Sequence, residues 1–452
     1  MKNALQLSKK ERNRAVLVMM VGSFIAIINQ TLLATALPEI MVSFHLTLHS
    51  AQWITTIFML VNGIMIPISA YLTTRYTTKG LYFTAITLFM IGSLFCIMTP
   101  FFSVLLLGRV IQAIGAGILI PLIQVVLLVA FPIEERGKAM GAFGLVTGFS
   151  PAIGPTLSGW ILSHFRWPAI FILVLIAMII NLGFSLFTLK NMSETHEMHL
   201  DLISVFLSTL AFGGFLYGFS RASYAGFSDV TLWFVLVVST LALGAYIVRQ
   251  RQLEEPMLNF DVLKERTFLQ SCLIIMIMFV IFNASMTLLP FFIQKVSGMT
   301  AFQSGLLLLP GGLMMGILAP VTGNLFEKVG GRSFALIGMA LIAFSALVLS
   351  FFNARTNGWL ISLVFMLLMA GNAFILTPLT TEGMNALPNK LIPHGSAMNS
   401  TMRQLFAAIG TAILTSLIGT KTNVTLGFQF VYHFITIFAL IGLFLAYKLK
   451  KR

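Results

Sequence analysis

Two arginines stand inside apolar stretches, Arg109 in LLLGRVIQAIGAG and Arg403 in STMRQLFAAIG. A guanidinium does not give up its proton in a protein, and it is costly in a hydrocarbon medium. Each must therefore face a polar interior and find partners there. Two kinds of chemistry fit: orienting polar groups in a cavity, and tuning the proton affinity of a neighbouring carboxylate. The plainer alternatives are a hydrogen-bonding clamp between helices for Arg109 and a side chain reaching back to the aqueous surface for Arg403. Gln112 lies one turn beyond Arg109, and Asn29, Gln30 and Thr31 lie in the first apolar run. All four are candidates to line a substrate cavity, with Arg403 as a fifth. At ~1.5 Å rise per residue, Asn29 and Arg109 sit ~12 and ~9 Å from the same end of their helices, level enough to touch. The chain has 14 acids, nearly all between the apolar runs. Two touch the runs: Glu39, which follows Pro38, and Glu382, in TPLTTEGMNALP. Burial favours the neutral form of a carboxyl. Glu39 and Glu382 are therefore the candidates to carry a proton, with Arg109 as the group that tunes them. The alternative for each is a solvated carboxylate at an interface.

A second constellation is GKAMGAFGLVTGFSPAIGPTLSG at residues 137–159. Gly137, Gly141, Gly144, Gly148, Pro151, Pro155 and Gly159 succeed one another at steps of three or four, which sets them on one helical face. A glycine stripe lets another backbone come close. The prolines remove hydrogen-bond donors and bend the rod. A helix that must slide or rock against a partner uses both features. Gly148, Pro151, Gly154, Pro155 and Gly159 are accordingly read as a conformational motif.

These residues need long apolar helices to hold them. Of the 452 residues 58% are apolar and only 9% charged, which excludes a water-soluble fold and specifies an all-α membrane protein. Fourteen apolar runs of spanning length follow one another, from 15–37 to 428–447, each long enough to cross a ~30 Å hydrocarbon core. An even count places both termini on one side. With the N-terminus inside, the loop and tail Lys and Arg divide about four to one in favour of that side, the pattern that sets both termini in the cytoplasm. The net charge of +14 is thus an orientation device that meets lipid head groups, and nucleic acid is not an expected partner. The two cysteines, Cys96 and Cys272, sit in apolar runs and read as buried thiols, with no disulfide and no metal site. No phosphate-binding loop, HExxH or nucleophile elbow occurs, so neither direct ATP drive nor an enzyme is expected, and no cofactor.

A weak internal repeat divides the chain. AYLTTRYTTKG at 70–80 is similar to GNLFEKVGGRS at 323–333, and GKAMG at 137–141 to GSAMN at 395–399. The expected organisation is an N-terminal six-helix bundle (1–190), two inserted helices with their linkers (191–267) and a C-terminal six-helix bundle (268–452). Repeats of this kind place a substrate path between two bundles.

NQTLLATALP at 29–38, LLLGRVIQAIGAGILIP at 105–121, the 137–159 stretch and GNLFEKVGGRS together resemble the major facilitator superfamily. More narrowly, they resemble its fourteen-span drug:proton antiporters, the EmrB/QacA-like exporters. The resemblance implies a major facilitator fold with 14 transmembrane helices. It also implies efflux of amphipathic, often cationic compounds across a bacterial plasma membrane in exchange for protons. The proton gradient would then be the energy source, and small amphipathic molecules, protons and the bilayer the partners. It marks Arg75, Lys79, Gly323, Glu327, Lys328, Gly330 and Arg332 as a cytoplasmic loop motif. Three positions depart from the pattern. Asn29 stands where the family carries an acid, Thr74 where the first loop motif does, and Met366 where the second half would repeat Arg109. An amide cannot exchange a proton, so a facilitator or an exporter of a physiological solute or lipid, with other or no proton coupling, is the alternative.

Overall fold

The protein is described here from a computed structural model, which describes residues 8–192, 200–418 and 423–449. The side chains of residues 34, 35, 48, 49, 151, 152, 155, 223–225 and 301 lie outside the described residues, and Pro151 and Pro155 of the conformational motif are among them.

The described residues are helical, without a strand. The first half comprises α1 (Lys9–Ser43), α2 (Leu48–Arg75), α3 (Thr78–Ile97), α4 (Phe102–Val129), α5 (Ile133–His164) and α6 (Pro168–Thr188). The insert is α7 (Leu202–Ser208), a π turn (Thr209–Gly213) and α8 (Gly214–Ala225), which form one rod, followed by α9 (Val230–Gln252). The second half comprises α10 (Arg266–Lys295), α11 (Ala301–Val329), α12 (Gly331–Leu349), α13 (Gly358–Asn385), α14 (Ile392–Ile418) and α15 (Val424–Tyr447). Side-chain caps start many of the rods, because the first amides of a helix have no partner within it. Ser8 and Thr300 close capping boxes with Glu11 and Gln303, and Thr47, Thr77, Asp201, Asp229, Asn357 and Asn423 cap singly.

Among the described residues thirteen helices are long and apolar enough to cross a membrane. The 32-residue α5 is the fourteenth rod. It falls outside that count because the glycines and prolines of its stripe dilute its apolar content. The outer surface is greasy, with Phe187, Val230 and Trp359 at least 80% exposed, as lipid contact requires and water would not allow.

One apolar core fills the first half and continues into Phe268, Cys272, Met384, Leu387, Ile392, Ala397 and Met398. A second core fills the rest of the second half. The residues that join the first core sit at the start of α10 and α14 and the end of α13, the end of the molecule where the described chain begins and ends. The two halves therefore merge at this basic end. The insert packs on the first core and contributes Phe212 and Tyr246 to it; Gly213 meets Ile64 of α2, Gly214 meets Ser239 of α9, and Trp53 stacks on Tyr217 at 5.9 Å.

Hydropathy marks where lipid ends rather than where a helix ends. The apolar run at 302–322 thus continues as helix to Val329, and Gly323, Glu327 and Lys328 ride on the last turns of α11 instead of in a loop. Arg75 ends α2 and Lys79 stands in the first turn of α3. Only Gly330, at φ 78°, separates α11 from α12, a backbone angle that favours glycine.

Candidate functional site

Polar groups from α1, α3 and α4 converge in the first half. Arg109 is fully buried. Its Nη1 donates to Gln112 Oε1 at 2.9 Å, its Nε to the Ile54 carbonyl at 3.4 Å, and its guanidinium carbon lies 4.1 Å from the centre of the Phe58 ring. Asn29 Nδ2 donates to the same Gln112 oxygen at 3.4 Å, and the Cys96 thiol points at it from 4.0 Å. Gln112 Nε2 in turn donates to Ser93 Oγ at 2.7 Å. Asn29 and Arg109 are thus level, as their depths require, and they meet through Gln112. Gln30 is half-buried. The Thr31 hydroxyl donates to Ile28 O at 2.9 Å and Ser150 O at 3.3 Å. It ties α1 to α5, so the expectation that it lines a cavity is corrected.

The two carboxyl candidates have different surroundings. Glu39 Oε1 accepts from the Trp167 amide at 3.0 Å, and Trp167 Nε1 donates to Ser43. The carboxylate thus caps the start of α6, where negative charge is favoured. Arg109 reaches Ile54 and Gln112 rather than Glu39, which corrects the idea that the two pair. Glu382 is buried in the last turn of α13, against the start of α12: a Cβ added at Gly331 would lie 3.1 Å from its Oε2. In the second half Arg403 donates to Ser400 Oγ at 3.5 Å and stands 4.9 Å from the centre of the Phe279 ring.

The glycine stripe of α5 runs along the junction of the halves. An added Cβ would lie 2.7 Å from Gly323 O at Gly137, 2.9 Å from Ala319 O at Gly141, 2.7 Å from Ala319 Cβ at Gly144 and 2.8 Å from Gly316 N at Gly148. These four glycines press α5 onto α11. Further along, Gly154 abuts Thr31 of α1, Gly159 has nothing within 4 Å, and Gly311 of α11 packs on Phe365 of α13. Gly159 therefore has no packing role on the seam.

Side-chain hydrogen bonds bridge the halves at the basic end. Arg136 donates to Asn385 Oδ1 at 3.2 Å and to Asn389 Oδ1 at 3.3 Å. Ser396 and Ser400 of α14 donate to Gln124 of α4 at 3.0 and 3.4 Å. Gln124 and Arg136 are not among the residues singled out from the sequence. A signal was present, since a cation in the first turn of a helix opposes its dipole and needs a partner elsewhere. The basic motif residues flank this end: the Lys79 amide donates to Asn191, Arg332 stacks on Tyr447 at 5.2 Å, and Glu327 stands near Gly137, where a Cβ would lie 3.4 Å from its Oε1.

Two helical bundles with an insert, joined by a backbone-tight seam, define a polytopic membrane transporter. Residues 19–411 match the Major Facilitator Superfamily, and the chain belongs to that family. It is 42% identical over 457 residues to the uncharacterized MFS-type transporter YcnB of Bacillus subtilis, covering 98% of this chain and 97% of that one. It is 34% identical over 456 residues to the lincomycin resistance protein LmrB of the same organism, covering 96% and 95%. Among solved structures, the human organic anion transporter MFSD10 (TETRAN) superposes with a TM-score of 0.73 at 14% identity, covering 96% of this chain and 99% of that one. That likeness concerns the fold.

Proposed function

We propose that this transporter exports amphipathic small molecules by alternating access, driven by proton entry, with both termini in the cytoplasm of a bacterial cell. The observation that carries the reading is the α5–α11 seam. Four glycines bring the backbones of two helices, one from each half, into direct contact. A packed seam has two discrete arrangements, closed and parted, and rocking between them would expose a central path to each side in turn. The basic bias of the loops supports the orientation. The resistance name of LmrB supports export of foreign compounds, as do the 41 phenylalanines and 25 methionines available for a greasy, adaptable path.

For the proton, Glu39 is engaged as a helix cap, which leaves Glu382 as the buried carboxyl to test. The second reading, transport of a solute or lipid with no proton coupling, is favoured by the amide at position 29. The test is substrate flux in proteoliposomes under an imposed pH gradient. The expected result is flux that rises with the gradient in wild type and becomes indifferent to it in Glu382→Gln. Wild-type flux that ignores the gradient selects the second reading. Gradient-driven flux in the variant removes Glu382 from the mechanism.

A further inference from the structure

The Arg109 cluster is built around a negative charge that its own side chains do not supply. Two donors, the Arg109 guanidinium and the Asn29 amide, converge on one neutral acceptor, Gln112 Oε1, while the Cys96 thiol lies 3.8 Å from the Leu105 carbonyl and 4.0 Å from the same Gln112 oxygen. Arg109 Nη2 and Asn29 Oδ1, both fully buried, have no hydrogen-bond partner among the described residues. No ion pair there involves Arg109; Glu39, ten residues along α1, is turned to the Trp167 amide. An uncompensated buried cation is expensive, and the contact with Phe58 offsets only part of that cost. Arg403, the other arginine inside a span, is likewise in no ion pair among the described residues and leaves its Nε without a partner. The spans thus hold two fixed positive charges, and an amine entering them would be repelled rather than drawn in.

We propose that the Arg109–Asn29–Gln112 cluster is an anion site, which takes one monovalent negative charge on Arg109 Nη2. The charge arrives as the carboxylate of an amphipathic substrate or as chloride. The inference rests on the export reading for the word substrate, and it replaces the cationic preference that the resemblance implies. A carboxylate fits because a guanidinium presents forked N–H donors to it, and a charge-assisted bond in a dry site is about twice as strong as a neutral one. The site lies wholly within the first half, so a ligand there is held by elements that move together.

Binding to the purified full-length protein tests this without any transport step. Naphthylacetate and its neutral analogue naphthylacetamide are titrated in sodium chloride and in sodium gluconate, with wild type and Asn29→Asp followed by intrinsic fluorescence and thermal shift. If the substrate brings the charge, the acid binds wild type at least about tenfold tighter than the amide in both salts, and Asn29→Asp collapses the ratio. If chloride brings it, wild type is stabilised by chloride over gluconate, and Asn29→Asp loses that difference because its own carboxylate neutralises Arg109. Asn29→Asp adds the partner the guanidinium lacks, so it is the variant that folds where Arg109→Gln does not. Equal binding of acid and amide with no chloride effect in wild type overturns the proposal. So does an anion preference that survives intact in Asn29→Asp. Anion binding without flux in proteoliposomes counts against the export reading alone.

Discussion

Substituting Gly141 by alanine places a methyl group in the seam against the backbone of α11. Its carbon would lie 2.9 Å from Ala319 O, 3.0 Å from Pro320 Cα and 3.2 Å from Gly323 Cα. All three neighbours are backbone atoms of α11, so no side chain can swing away to make room. Ordinary contacts begin near 3.4 Å, so α5 and α11 must separate by several tenths of an ångström over a turn or more. Overpacking of this kind costs about 1–3 kcal/mol, but only in the arrangement where the two helices touch. Once they part, the methyl group meets nothing. The equilibrium between closed and open basic ends should therefore shift by a factor of about 5–150 toward the open form. The measurement is pulsed electron paramagnetic resonance between spin labels on cysteines introduced at Glu134 and Lys328, both exposed at that end. The native thiols Cys96 and Cys272 are buried and free of disulfides, so they give little background. The long-distance population should grow in Gly141→Ala and stay unchanged in Gly159→Ala, where an added Cβ has nothing within 4 Å. An identical distance distribution in wild type and Gly141→Ala would show that the seam is not the contact that closes the basic end.

Two further outcomes follow from side chains whose roles the structure separates from transport. Glu39→Gln should lower thermal stability by about 0.3–1 kcal/mol through the weaker cap on α6, while the pH profile of flux stays that of wild type; a shifted profile would return Glu39 to the proton path. Asp201 accepts from Arg249 Nη2 at 2.9 Å and caps α7, and the Arg249 guanidinium, with Ser204, holds its carboxyl well below the usual carboxylate range. Because the folded value is depressed, the stabilisation is complete above the unfolded value near ~4 and is lost as pH falls below it. Asp201→Asn should therefore melt a little below wild type by the same margin from neutrality down to about pH 5, and the margin should close under more acid conditions. A margin that persists undiminished in acid would mean the cap, rather than the ion pair, is what matters.

What could be read from the chain depended on whether a feature is set along one helix or between helices. The fourteen rods, the face of α5 and the level placement of Asn29 and Arg109 all follow from residue spacing and rise. The partner of the α5 stripe was equally periodic, since Gly316, Ala319 and Gly323 follow one another at steps of three and four on α11. That the two faces meet was not legible, because each shows its own period and neither specifies its partner. The role of Glu39 was not legible, for it depends on where the start of α6 lands beside the end of α1. Thr31 misled for a similar reason: a hydroxyl next to Asn29 reads as cavity lining, yet its neighbour is the Ser150 carbonyl of α5. The lower end of α11 was misplaced because charged residues end an apolar run without ending a helix.

The geometry also separates the part that moves from the part that recognises. Arg136 with Asn385 and Asn389, and Gln124 with Ser396 and Ser400, join one half to the other, so these bonds must break when the basic end opens. The partners of Arg136 and Gln124 are neutral amides and hydroxyls, so breaking these four bonds separates no opposite charges. The Arg109 cluster crosses no such boundary. A ligand shifts an equilibrium only through a difference in affinity between the two states, and a site carried wholly by one half provides such a difference only through its connection to the seam. That connection is visible: Asn29 is two residues from Thr31, whose hydroxyl bonds Ser150 and whose side chain abuts Gly154 on α5. The same glycine-bearing helix faces the second half with its first turns and Thr31 of α1 with Gly154.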